Sequence, residues 1–221
     1  MNKFVKTLYG AGSVLLASMA TPLMAASSDF AGLFLGIYSS AIGVELEGDH
    51  NDNQSNVTTG AIGKFALIGG AEAGYSFPLG DKLLIDIGIS VMPGGAKITS
   101  DNALSSDVSF EISDHVTYYI QPKIAISDTS AIYLKLGQSD ADTTVSGDVN
   151  KPDDISGNLF AIGTQTIFPN GKVYLKTEAG FTDYDQIKVT GKGSTGGVST
   201  GTTVTADPTI AFGTVSLGIR F

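Results

Sequence analysis

The stretch Leu83-Leu84-Ile85-Asp86-Ile87-Gly88-Ile89-Ser90-Val91 decides how the rest of the chain is read. Its odd positions are Leu, Ile, Ile, Ile and Val, whereas its even positions include Asp86, Gly88 and Ser90. Side chains two apart share a face of a β-strand, so one face is apolar without interruption and the other carries charge. From Phe30 onward this alternation recurs and no long helical period occurs.

Seven further runs repeat it: Phe30–Leu46, Ala61–Phe77, Val108–Ile126, Ala131–Gly137, Leu159–Phe168, Val173–Asp183 and Thr209–Phe221. The links alternate in length. Short ones lie at Pro78–Lys82, Ser127–Ser130 and Pro169–Lys172, with Gly80-Asp81 and Asn170-Gly171 as turn chemistry. Long polar ones lie at Glu47–Gly60, Pro93–Asp107, Gln138–Ile155 and Tyr184–Pro208. The expected fold is all-β, an eight-stranded antiparallel up-and-down transmembrane β-barrel with tight turns at one end and long loops at the other. A secreted β-sandwich alternates in the same way, so alternation leaves both open. The ends of the chain and the hairpin asymmetry favour the barrel.

Composition narrows the functional classes. Only 16% of the 221 residues are charged and 28 are Gly, unusual for an ordinary water-soluble enzyme. The absence of Cys excludes disulfide scaffolds and thiolate metal sites. A net charge of −9 argues against a nucleic-acid partner, which needs a basic patch. The body of the chain lacks the run of about 20 apolar residues that a membrane helix requires.

Residues 1–26 read as a cleaved signal peptide: Lys3 and Lys6, an apolar run from Leu8 to Ala20, then Thr21-Pro22-Leu23-Met24-Ala25-Ala26. Cleavage is expected after Ala25 or Ala26, leaving residues 27–221 as one barrel domain in a bacterial envelope. Removing Lys3 and Lys6, and no acid, takes the formal charge from −9 to −11.

The chain ends Val215-Ser216-Leu217-Gly218-Ile219-Arg220-Phe221, with Val215, Leu217, Ile219 and Phe221 on one face. This ending, including Gly218, resembles the C-terminal assembly signal of bacterial outer-membrane barrels. Ala73-Gly74-Tyr75-Ser76-Phe77-Pro78-Leu79 and Leu175-Lys176-Thr177-Glu178-Ala179-Gly180-Phe181 carry the likeness further. The mature chain is similar to the eight-stranded opacity-protein-like and OmpA-transmembrane-domain-like families. The resemblance implies a monomer in the cell outer membrane, in contact with membrane lipid, lipopolysaccharide and the barrel assembly machinery. It also implies a noncatalytic structural or surface-interaction role, with an unknown extracellular ligand. The family's upper Trp girdle is missing, and Phe110 and Tyr184 are expected to replace it, with Phe77, Phe168 and Phe221 at the lower edge.

Counting upward from each short turn, Glu72, Asp86, Lys123, Lys135, Gln165, Lys176 and Glu178 all lie four to six residues away on the polar face. They are expected to form one layer across the lumen, with acids and lysines attracting across the barrel between hairpins. An eight-stranded barrel has room for side chains and little else, so this layer predicts a closed plug. Asp114 shares parity with the lipid-facing Val116, Tyr118 and Ile120. It lies roughly 13 residues above Ser127, on the order of 30 Å along the axis, and so above an apolar band about 25 Å tall.

Little in the chain suggests catalysis, a cofactor or a bound metal. His50 and His115 are its two histidines. Ser113-Asp114-His115 places Ser113 and His115 inward and Asp114 outward, an arrangement without an oriented base for a nucleophile. Asp49-His50-Asn51-Asp52-Asn53 is oxygen-rich but lacks the glycine and terminal Glu of an EF-hand. The long loops hold Glu47, Asp49, Asp52, Asp101, Asp107, Asp140, Asp142, Asp148, Asp153, Asp154, Asp185 and Asp207 against Lys97, Lys151, Lys188 and Lys192, a solvated acidic cap. The alternative to a structural role is a narrow porin-like conduit for small or hydrophobic solutes, since Asp207-Pro208 before the last strand is similar to small solute-conducting barrels. A lipid A-modifying enzyme is a more distant third reading.

Overall fold

The computed structural model describes residues 27–51, 57–99, 109–146, 149–169, 171–193 and 201–221. The expected signal peptide (residues 1–26), Asp52, Asn53, Asp101, Asp107 and Asp148 lie outside them. The strands are β1 (Gly32–Asn51), β2 (Val57–Pro78), β3 (Leu83–Thr99), β4 (Ser109–Ala125), β5 (Ser130–Ser146), β6 (Ile155–Ile167), β7 (Val173–Tyr184), the short β8 (Ile187–Thr190) and β9 (Thr203–Arg220). Each of β1 to β6 pairs antiparallel with its successor, β7 pairs with β9, and β9 pairs with β1. The sheet closes into an eight-stranded barrel, and β8 folds back on β9 above it as an extra ribbon.

The pairing register fixes the barrel's shape. Starting at Phe65 and stepping through paired residues (Gly43, Ala211, Phe181, Phe160, Leu136, Ile120, Ile87), the path returns to β2 at Tyr75. That is a stagger of ten residues, which with a strand spacing of about 4.8 Å and a rise of about 3.3 Å implies a tilt near 40°.

The exterior carries the apolar belt. Leu33, Leu35 and Ile37 on β1, Ile87, Ile89 and Val91 on β3, and Val215, Leu217 and Ile219 on β9 are all at least 36% exposed. In water such a surface would be a severe liability, and its continuity around the barrel identifies the lipid-facing band of a transmembrane barrel. Phe77, Phe168 and Phe221 stand exposed at its lower edge. At the upper edge the aromatics are Phe65, Tyr118, Phe160 and Phe181, all exposed. Tyr184, expected in that girdle, is instead buried at 6% and points inward, and the side chain of Phe110 lies outside the described residues.

Most strands run past their expected upper ends, because the two faces exchange polarity there instead of losing the pattern. On β5 the outward residues pass from Leu134 and Leu136 to Gln138, Asp140 and Asp142. The inward ones pass from Lys135 to Ser139, Ala141 and Thr143, the last three at 3% exposure or less. On β1 the inward face likewise changes from Ser40 to Ile42 and Val44. Below the exchange the apolar face meets lipid, and above it the barrel buries apolar side chains as a water-soluble protein does. Asp140, Asp142 and Asp207, read as loop residues, are therefore outward strand positions, and Asp49 also belongs to a strand.

Asp114 marks the exchange on β4. It has φ 52°, and the ladders to β3 and β5 both shift register around it. This β-bulge turns the chain over: His115 below it is buried at 4% and Ile112 above it at 1%. Ser113 therefore shares the outer face with Asp114, contrary to the inward position expected for it. The Asp114 carboxylate accepts a hydrogen bond from Gly94 N at 3.1 Å, tying the bulge to the opposing bend of β3. A membrane-impermeant thiol label on Asp114→Cys should react from the outside, whereas protection would place this bulge within the belt.

Candidate functional site

The lumen is filled in four tiers, each set by the inward positions of the strands. At the short-turn end sit Leu84, Ala125, Ala131, Ile167 and Tyr174, two to four residues closer to the turns than the nearest polar residue of the tier above on the same strand. The 3₁₀ turn Ser27–Phe30 closes this mouth, with Phe30 at 2% exposure and Ser27 N bonded to Asp81 O at 2.7 Å. Alternation alone puts Phe30 at the start of the first strand, whereas it belongs to the turn ahead of β1, because a single buried aromatic reads like a first strand residue.

The second tier holds all seven polar residues selected by counting from the turns, each no more than 9% exposed. Lys123 Nζ lies 2.6 Å from Asp86 Oδ2 and donates to Gln165 Oε1 at 2.7 Å. Lys176 Nζ lies 3.0 Å from Glu72 Oε1, and Lys135 Nζ 2.6 Å from Glu178 Oε2. Lys176 with Glu72 reaches from β7 to β2 across the lumen, and Lys135 with Glu178 passes over β6. Lys123 with Asp86 also joins two hairpins, as expected, but along the wall instead of across the lumen: these residues are diagonal neighbours on adjacent β3 and β4, where Asp86 faces Gln121 in register. The stagger of the barrel, not visible by reflection about turns, brings them side by side.

The acids are further satisfied by groups the counting did not select. Glu72 accepts from Tyr119 and Tyr174 hydroxyls at 3.2 Å each, and Glu178 from Tyr133 at 3.2 Å. Asp86 accepts from Ser76 and from Gln121 Nε2, the latter at 2.7 Å. Lys176 Nζ sits 4.3 Å from the Phe34 ring centroid, and Lys135 Nζ 4.5 Å from that of Tyr119. Removing three acids and three lysines from water is costly, and only this density of partners compensates it. The inward tyrosines share the parity of the charges, but they fall outside the window of four to six residues from a short turn, so parity and not the count is the signal that finds them.

These rings need sockets. The Tyr119 ring lies over Gly88, where an added Cβ would stand 2.5 Å from Tyr119 Cζ and 2.9 Å from Ala73 O. Tyr133 covers Gly163 and Tyr174 covers Gly218 in the same manner. Part of the high glycine content thus serves close packing of the lumen.

The third tier is a hydroxyl network around His115. Its Nδ1 is 2.6 Å from Tyr184 Oη, which is 3.0 Å from Ser139 Oγ, and Thr117 donates to Ser139 at 3.0 Å. His115 and Ser113 point to opposite faces, so they do not form a nucleophile and base. Ile42, Val44, Ile112, Ala141, Ile155, Ile187 and Ile210 form the fourth tier as an apolar roof. Among the described residues no three His, Cys, Asp or Glu side chains gather as a metal site.

The fold matches solved outer-membrane proteins. OprG from Pseudomonas aeruginosa aligns over 86% of this chain and 97% of its own, with TM-score 0.52 and 13% identity. Ail, the attachment invasion locus protein of Yersinia pestis, aligns over 83% and 98%, with TM-score 0.41 and 10% identity. The outer membrane protease OmpT from Escherichia coli aligns over 86% and 97%, with TM-score 0.46 and 8% identity. No family model and no curated protein sequence matches the chain.

Proposed function

We propose, for a chain folded as an eight-stranded outer-membrane barrel, a noncatalytic envelope role exercised at its outer end, over a lumen closed by the charged tier. The observation that carries this reading is the ion-paired layer at Glu72, Asp86, Lys123, Lys135, Gln165, Lys176 and Glu178, enclosed between an apolar floor and an apolar roof. A solute crossing the barrel would have to part buried ion pairs and displace both apolar tiers. The outward face above the belt presents Asp140, Asp142, Asp183 and Asp207, which suits recognition in water beyond the lipid headgroups. In this reading the apolar belt meets membrane lipid and lipopolysaccharide, and the assembly machinery engages the C-terminal signal at Val215, Leu217, Gly218, Ile219 and Phe221.

Planar-bilayer recording tests the closed lumen. The unmutated barrel should show no steady conductance at neutral pH, and a stable open level would favour the solute-conduit reading. Binding screens of cells expressing loop-deleted barrels then test whether the outer end carries recognition. Retention of all surface binding without the loops would remove that assignment.

A further inference from the structure

His115 Nε2 is buried and has no hydrogen-bond partner, while Nδ1 is engaged by Tyr184. Beside it is a cavity of about 50 Å³, lined by Met92, His115, Thr117, Ser139 and Tyr184 below the isoleucine roof. Met92 and His115 are register partners on β3 and β4, the last pair before the bulge. Paired residues on one face of an antiparallel ladder have Cβ atoms about 4.5–5.5 Å apart, so a thioether and an imidazole there address the same small volume. Met92 is also the one methionine in residues 27–221.

We propose that this cavity is a metal site for one soft monovalent ion, copper(I) or silver(I), held between His115 Nε2 and Met92 Sδ. The donor set selects the ion. Thioether sulfur and neutral imidazole nitrogen suit soft copper(I), whereas calcium and magnesium require carboxylate or carbonyl oxygens, and no acid lines the cavity. Ligation by Nε2 requires its lone pair, which places the imidazole proton on Nδ1. Tyr184 Oη then accepts from Nδ1 and donates to Ser139 Oγ, which also accepts from Thr117. This hydroxyl chain would fix the tautomer and aim the ring, as supporting groups do for metal-bound histidines. The site lies at the level where the outer face changes from apolar to acidic, so an ion would arrive from the outer side through the roof.

The test is calorimetric titration of the folded barrel in detergent micelles with silver nitrate in chloride-free buffer. One equivalent of silver should bind. Met92→Leu and His115→Gln should each weaken binding by at least about tenfold, the lower end of what losing even a supporting partner costs a metal site. Both variants should keep heat-modifiable gel migration, and His50→Gln should bind silver as the parent does. The proposal is overturned by absence of saturable uptake, by unchanged affinity in Met92→Leu, or by equally tight zinc(II) binding at the same stoichiometry. Met92→Leu preserves volume and polarity, so it decides the matter even where His115→Gln folds poorly.

Discussion

Replacing Lys176 by methionine should destabilise the barrel by about 3–5 kcal/mol, the usual consequence of leaving one member of a buried ion pair uncompensated. Lys176 and Glu72 side chains are each 2% exposed, so neither can recover its lost partner from water. The two tyrosine hydroxyls on Glu72 would remain, but they supply hydrogen bonds and no positive charge. Methionine keeps the aliphatic stem against Phe34 and Tyr174, so the loss reports chiefly on charge. Equilibrium unfolding in micelles measures it, and Lys176→Met with Glu72→Gln should recover most of the loss because the orphaned carboxylate is gone. An exposed comparison is at hand in Lys151 and Asp154, 3.9 Å apart with side chains 65% and 63% exposed. Lys151→Ala should change stability by no more than about 1 kcal/mol. If Lys176→Met behaved like Lys151→Ala, the charged tier would be wet.

Gly88→Val is expected to be worse, leaving no heat-modifiable folded band. A new Cβ meets the Tyr119 ring on one side and the backbone carbonyl of Ala73 on the other, and the second cannot swing away. Overpacking of a filled interior ordinarily costs about 1–3 kcal/mol. Here displacement of Tyr119 would also strip a donor from Glu72 and the ring from beneath Lys135. Gly88→Val with Tyr119→Ala should restore folding in part by vacating the socket. Normal folding of Gly88→Val alone would show that the ring packs elsewhere.

The lower half of this molecule was legible in its sequence and the upper half was not, for one physical reason. Near the short turns the outward positions are long apolar runs, and inward charges such as Asp86 and Lys135 stand out against them. Above the belt Gln138, Asp140 and Asp142 face water while Ser139, Ala141 and Thr143 face inward, and without large apolar side chains that alternation reads as loop. Asp114 was placed on the correct face, but its left-handed backbone and the reversal it imposes on Ser113 were invisible, because a bulge has no marker in periodicity alone. The charged tier was found by counting residues. Counting named no individual partners, since stagger is a property of the closed sheet and cannot be obtained one hairpin at a time.

The exchange of polarity along the strands also gives the barrel a waterline. Asp140 and Asp183 sit only a few residues above Leu136 and Phe181 on the same outer faces. A bilayer thicker than the belt would submerge them, while a thinner one would strand the upper phenylalanines in water. Either displacement is resisted by a modest penalty per ångström of mismatch. The chain therefore encodes a preferred immersion depth as well as a shape, and membranes of different thickness would hold it with unequal favour.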